Sequence, residues 1–193
     1  MKITNRFTGE PIYEGDHDTI AECVEAALES GVYLRGADLR NANLRDTDLG
    51  GADLRNANLR DTKLPGANLR DTDLGGANLR DTDLGGAYIG GAYLGGADLR
   101  GADLRGAKYG DGIPISVPPL YLTGLLYDVL ILDHHIKIGC EMYSIDYWEA
   151  ATEETVRSMG GDSAVQMWRD YGAQVFALAR AHQAQCREGA YRA

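Results

Sequence analysis

From Leu34 onward an apolar residue returns at every fifth position: Leu39, Leu44 and Leu49, on through Leu84, Ile89, Leu94, Leu99 and Leu104, ending at Tyr109. Two residues before each stands a small side chain. It is Ala in most repeats, Thr at Thr47, Thr62, Thr72 and Thr82, and Val32 at the start. A period of five fits neither the 3.6 of a helix nor the 2 of an ordinary strand. One arrangement satisfies it: each pentapeptide forms one side of a square coil, with Leu filling the centre, Ala fitting beneath it and the other three positions facing water.

Residues 32–111 then make four coils of twenty residues, stacked at the spacing of β ladders into a rod about 19 Å tall. Gly, Asn and Asp at the corners tolerate the tight or left-handed backbone that other residues resist.

Outside the repeat the pattern changes. Residues 2–14 predict a hairpin, with Ile3, Phe7, Ile12 and Tyr13 flanking a Thr8-Gly9-Glu10-Pro11 turn. A helix is expected from about Thr19 to Ser30, with Thr19 and Glu22 as a capping box and Gly31 as its stop. Its face of Ile20, Val24, Ala27 and Leu28 would cover the first coil, making residues 1–31 a cap.

After Asp111-Gly112 the period vanishes, Pro114, Pro118 and Pro119 mark a crossing segment, and residues 112–193 predict a small α+β domain. Leu130 to Cys140 reads as one or two strands, followed by helices near 146–159 and 162–187. Leu120, Leu122, Leu125, Leu126 and Leu130 are expected to plug the open end of the rod. The apolar stripe Val165, Trp168, Val175 and Phe176 would then be left to pair with a second copy in a homodimer, or to pack on the 146–159 helix.

The sequence A-(D/N)-L-x-x appears nearly verbatim as Ala37-Asp38-Leu39-Arg40-Asn41 and Ala42-Asn43-Leu44-Arg45-Asp46, and in this the chain resembles the pentapeptide-repeat family. The resemblance implies a mainly β fold, a right-handed quadrilateral β-helix. It also implies that some similar proteins look like a duplex DNA rod and inhibit DNA gyrase. The opening Ile3-Thr4-Asn5-Arg6-Phe7-Thr8-Gly9-Glu10, and Ile138-Gly139-Cys140 followed by a Trp-containing helix, resemble repeat proteins carried by bacteriophages and prophages.

Composition narrows the functional classes. No apolar run approaches the ~20 residues of a membrane span, and the N-terminus lacks the apolar core of a signal peptide, so a cytosolic protein is expected. Cys23, Cys140 and Cys186 stand far apart and read as free thiols. The net charge of −10 divides into −5 for residues 1–31, −1 for 32–111 and −4 for 112–193. Acidity disfavours direct contact with nucleic acid or an anionic membrane and suits a bacterial DNA-binding or nucleic-acid-processing complex as partner. A DNA imitation 19 Å tall would need on the order of eleven negative charges, so any copy would be of shape more than charge.

Candidate contact residues follow from the repeat. Arg40, Arg60, Arg80 and Arg100 share one column, flanked by Asp38, Asn58, Asn78 and Asp98 on one side and Asn41, Asp61 and Asp81 on the other. They form either an anion-binding ladder or a charge-alternating solvated face. Asp83 and Asp103 are outward acids suited to imitating phosphates. Tyr88 and Tyr93 replace Asp or Asn amid Gly85, Gly86, Gly90, Gly91, Gly95 and Gly96, either as interface anchors or as a patch over which the C-terminal domain folds back.

No His, Ser, Cys and acid stand at a recognisable catalytic spacing, so no enzyme and no cofactor are expected. His134, His135, Cys140 and His182 offer metal donors, but adjacent histidines on a strand point to opposite faces, so no metal centre is expected. A phage or prophage protein that occupies a topoisomerase or a defence nuclease is the leading expectation, and a scaffold rod is the alternative.

Overall fold

The structure, a computed structural model, describes residues 1–109, 112–116, 119–122, 124–139 and 141–189. Asp111, Pro118 and Cys140, to which sequence expectations attach, lie outside the described residues. The chain divides into two compact units, Met1–Ile115 and Ser116–Ala193. The first ends after Ile115, so the segment entered at Gly112 starts as part of the repeat body.

The first unit opens with a hairpin of β1 (Lys2–Asn5) and β2 (Pro11–Glu14). Phe7 does not sit in a strand. It lies in the turn, 70% exposed, because Asn5 Oδ1 accepts from the amides of Phe7 and Thr8 and closes the reversal early. Helix α1 (Ile20–Glu29) is capped by Thr19, whose hydroxyl accepts from Glu22 N at 3.2 Å, while the Glu22 carboxylate accepts from Asp18 N. Its buried face is Cys23, Val24 and Ala27, turned from the predicted face so that Ile20 and Leu28 are only half-buried. Strand β1 continues onto the repeat by pairing antiparallel with β3 (Ala37–Asp38). The Glu25 carboxylate also accepts from Asp48 N.

From there the chain pairs with itself at an offset of twenty residues. Parallel bridges join Asp38 to Asn58, Asn58 to Asn78 and Asn78 to Asp98, with the same spacing on the other columns. Leu39 N donates to Asn58 O at 2.9 Å, and Asn58 N returns the bond to Ala37 O at 2.8 Å. The central residues from Leu34 to Leu104 are all buried, and Ala37, Ala57, Ala67, Ala87 and Ala107 are fully so. At each corner a four-residue turn closes, as from Ala37 N to Leu34 O at 3.0 Å. Its third residue takes positive φ, 58° at Asn41 and 56° at Asp46, the position that type II turns reserve for Gly or Asn. The body finishes with β4 (Lys108–Tyr109) against β5 (Ile113–Pro114), and Ile115, buried, exchanges backbone bonds with Gly106 and Ala107.

The position before each central residue does not simply face water. Its Asn or Asp oxygen accepts from the backbone N–H two residues on: Gly50 N donates to Asp48 at 3.0 Å, Arg80 N to Asn78 at 3.2 Å, and Gly75 N to Asp73 at 3.0 Å. An amide that would otherwise be lost at the corner is satisfied, and the side chain is drawn onto the wall. Asn58 is only 8% exposed for this reason, and Asn78 Nδ2 donates to its Oδ1 from the next coil.

The second unit is a four-stranded antiparallel sheet in the order β6 (Leu120–Leu122), β7 (Val129–Ile131), β8 (His135–Ile138), β9 (Glu141–Ser144). Helices α2 (Ile145–Ala150) and α3 (Glu153–Gly189) follow, α3 being broken at Gly160 and Gly161. The predicted 146–159 helix is therefore two pieces. Ala151 leaves the helical conformation, and Thr152 accepts from Thr155 N to start again.

Val129, Ile131, Ile136, Ile145, Trp148, Met167, Val175 and Ala179 form its core, with Trp168 and Phe176 packed against it. Trp148 Nε1 donates to Ile136 O at 2.7 Å, which fixes α2 on the sheet. Leu122 and Leu125 join this core, Leu130 is buried in β7, and Leu126 is 64% exposed. Among the described residues no helix is long and apolar enough to cross a membrane.

Candidate partner-binding surface

The outward side chains of the repeat body balance face by face. The face of Leu39, Leu59, Leu79 and Leu99 carries Asp38, Asp61, Asp81 and Asp98 against Arg40, Arg60, Arg80 and Arg100. The face of Leu34 has Asp53 and Asp73 against Arg35 and Arg55. That of Leu44 sets Asp46, Asp83 and Asp103 against Arg45, Lys63 and Arg105, and that of Leu49 sets Asp48 and Asp71 against Arg70 and Lys108. Over residues 32–109, every face is formally neutral.

The balance is realised as local pairs. Arg40 forks onto Asp38 with bonds of 2.8 and 2.7 Å, and Arg55 onto Asp53, Arg100 onto Asp98 and Arg105 onto Asp103 in the same way. Each guanidinium hydrogen bond holds its partner's carboxyl below the usual aspartate range. Where the preceding residue is Asn58, Arg60 turns instead to Asp61 at 3.2 Å and Asp81 at 3.8 Å. Arg80, preceded by Asn78, finds its own corner acid engaged from the coil before, and its buried Nε has no hydrogen-bond partner. The Arg column is thus an ordered but compensated ladder, with Arg80 its least satisfied member. Asp103 is bound to Arg105, and Asp83 accepts from Gly85 N at 3.0 Å.

The two tyrosines differ. Tyr88 is held between cations, with Arg70 4.5 Å and Lys108 4.4 Å from its ring and Lys108 Nζ 3.1 Å from its hydroxyl. The lysine and arginine draw its phenol below the ordinary range. Tyr93 is 52% exposed and lies along the wall. A Cβ on Gly75 would come 3.2 Å from its ring, and one on Gly95 would collide with it. The glycines are therefore the floor on which the ring lies, as well as bare surface.

The predicted dimer stripe is not exposed. Val165 and Val175 are each 2% exposed, Trp168 lies 5.6 Å from Trp148 and 4.9 Å from Phe176, and all are occupied within their own unit. A four-stranded sheet supplies the cover that was not foreseen from sequence.

Of the candidate metal donors, His134 and His182 have different side-chain neighbours. His134 Nδ1 is 3.0 Å from Gln183 Nε2, while His182 instead meets Asp133 and Cys186. The His-x-x-x-Cys spacing on α3, one helical turn, was the available signal.

A solenoid whose side chains repeat every five residues and whose backbone pairs every twenty defines a quadrilateral β-helix, the class of protein to which the first unit conforms. Residues 30–61, 52–91 and 82–108 match the family model described as pentapeptide repeats, and the chain belongs to the pentapeptide-repeat family. No curated protein matches it.

Among solved structures it is similar to HetL, a pentapeptide repeat protein involved in heterocyst differentiation regulation from the cyanobacterium Nostoc sp. strain PCC 7120. That likeness is at 40% identity and TM-score 0.42, over 44% of this chain and 39% of that one. A pentapeptide repeat protein from the Arabidopsis thaliana thylakoid lumen is 38% identical over 40% of this chain and 53% of that one, with TM-score 0.40. A second Nostoc PCC 7120 repeat protein is 39% identical over 47% of this chain and 79% of that one, with TM-score 0.28. The chain spans less than two thirds of the first two.

Proposed function

We propose that this chain is a non-enzymatic binding protein, a β-helix of four coils that presents its walls to a protein partner and grips it by shape and aromatic contact. One observation carries the reading: over residues 32–109 each wall is formally neutral, with most of its acids paired to arginines or to backbone amides, while the tyrosine Tyr93 lies half-exposed on a glycine floor. Neutral walls give no long-range pull on basic protein and no imitation of phosphate charge. An aromatic anchor on a flat wall suits a desolvated contact. The resemblance to phage-borne and gyrase-inhibiting family members directs the search for that partner to a bacterial nucleic-acid-handling complex, a topoisomerase or a defence nuclease.

The test is capture from a bacterial lysate by the full chain and by Tyr93→Ala. The expected result is a nucleic-acid enzyme held by the parent, retained at high salt and in the presence of competing duplex, and lost from Tyr93→Ala. Capture that collapses with salt and is displaced by duplex would restore charge imitation through Asp83 and Asp103 and overturn this reading. Self-association alone would leave a scaffold, which the same neutrality favours.

A further inference from the structure

Asp133, His182 and Cys186 bring one carboxylate oxygen, one imidazole nitrogen and one sulfur within 4.8 Å of one another. The residues are 4%, 3% and 6% exposed. Asp133 lies in the reversal between β7 and β8, where Leu132 N donates to His135 O, and the other two stand one turn apart on α3. Ser116 donates both its amide, at 2.7 Å, and its hydroxyl to Asp133 Oδ2. That leaves Asp133 Oδ1 buried without a hydrogen-bond partner, and His182 Nε2 is in the same condition. Buried polar atoms are nearly always partnered, so two orphans in one cluster with a thiol point to a missing common partner.

We propose that these three side chains form a binding site for a zinc-class divalent cation that ties the β7–β8 turn to the last helix. The donor set is the mixture of sulfur, nitrogen and oxygen that borderline-soft zinc accepts. Ligand atoms around a tetrahedral ion stand about 3.3–3.8 Å apart, so the cluster closes by about 1 Å to meet it. The Ser116 bonds to Oδ2 orient the carboxylate so that Oδ1 is the donor, as partners behind a ligand do in built sites.

Burial keeps His182 in the neutral form that ligates, and keeps Cys186 protonated with its pKa pushed up to about 11. On binding, the thiol proton is released to solvent and sulfur donates as thiolate. A cysteine nucleophile is the competing reading, and the geometry disfavours it. The thiol is buried and donates to the His182 carbonyl at 3.1 Å, where an imidazole base would be needed.

The experiment is titration of the full, chelator-treated chain with Co²⁺. One equivalent is expected to give tetrahedral visible bands and a near-ultraviolet thiolate-to-cobalt band, both lost on adding Zn²⁺. Cys186→Ser should abolish the thiolate band, Cys23→Ser should keep it, and His182→Gln should weaken Co²⁺ binding by about tenfold or more. Should Cys186→Ser fail to fold, the parent and His182→Gln decide, because zinc should raise the parent's melting temperature by more than the variant's at the same concentration. Absence of cobalt binding by the parent overturns the proposal and leaves a polar cluster bridged by water. A thiolate band that survives Cys186→Ser overturns it equally.

Discussion

The carboxylate of Asp71 occupies the space that a side chain on Gly91 would need, one coil further along the same corner. Gly91 has φ +73°, and Gly86, with φ +68°, faces open space. Gly86→Ala should cost only the left-handed strain, about 1–2 kcal/mol. Gly91→Ala should cost that strain and, in addition, the displacement of Asp71. Melting temperatures should rank parent, Gly86→Ala, Gly91→Ala in falling order, and replacing Asp71 by Gly in the last should narrow the gap. Equal losses for both variants would remove the contact between corners from the account.

Thr62, Thr72 and Thr82 each donate a buried hydroxyl to the carbonyl twenty-three residues earlier, those of Leu39, Leu49 and Leu59, at 2.7–2.8 Å. Thr47 has no such carbonyl, since the residue twenty-three back is Val24 in α1, and its Oγ1 is buried without a partner. Thr62→Val should therefore destabilise by about 1–2 kcal/mol, whereas Thr47→Val should be neutral or stabilising. Denaturant midpoints of the two variants check the opposite signs.

Leu69 is fully buried at the centre of its side. Leu69→Asp places a charge with no partner in an apolar column and should prevent folding, read as loss of β-type circular dichroism. Arg70→Ala, one residue on, removes only the cation over the Tyr88 ring and should cost no more than about 1 kcal/mol.

Acid should loosen the repeat before it affects most neutral folds. Asp38, Asp53, Asp98 and Asp103 all have carboxyls lowered chiefly by a bond from the Arg two residues on. A lowered folded value means the unfolded chain takes protons first. Their stabilisation is thus complete above the unfolded value near ~3.9 and is lost as pH falls from there through the lowered folded values. Melting temperature followed from pH 6 to 2 should drop below about pH 4, and Asp53→Asn with Asp98→Asn should flatten the drop.

The centre of the coil was legible because an apolar residue, Leu except at Ile89 and Tyr109, returns at every fifth position, and Ala or Thr behind it leaves one geometry. The caps made by Asp48 or Asn78 were not legible as caps. An Asn or Asp on a wall has the same composition whether it accepts from a corner amide or from water. Thr62 likewise reads as a small residue until the coil pitch puts Leu39 O beside it. In the second unit the run from Leu130 declares the strands β7 and β8, but β6 and β9, of three and four residues, are too short for alternation to declare them. The sheet over Val175 and Trp168 was therefore missing from the reckoning, and the stripe passed for an interface. Asp133 lies far from His182 in sequence, which hid the cluster.

The twenty-residue offset makes the chain a counter. The central Leu column does not distinguish one side of the square from another, so removal of a single pentapeptide would leave it apolar. The hydroxyl of Thr82 would then no longer reach the Leu59 carbonyl, and the downstream columns would be dealt onto the wrong walls. The side of the square from which the strand of Tyr109 departs would advance by a quarter turn for every five residues added or removed. Growth by duplication is therefore free only in whole circuits; any other length change is a rotation of everything that follows.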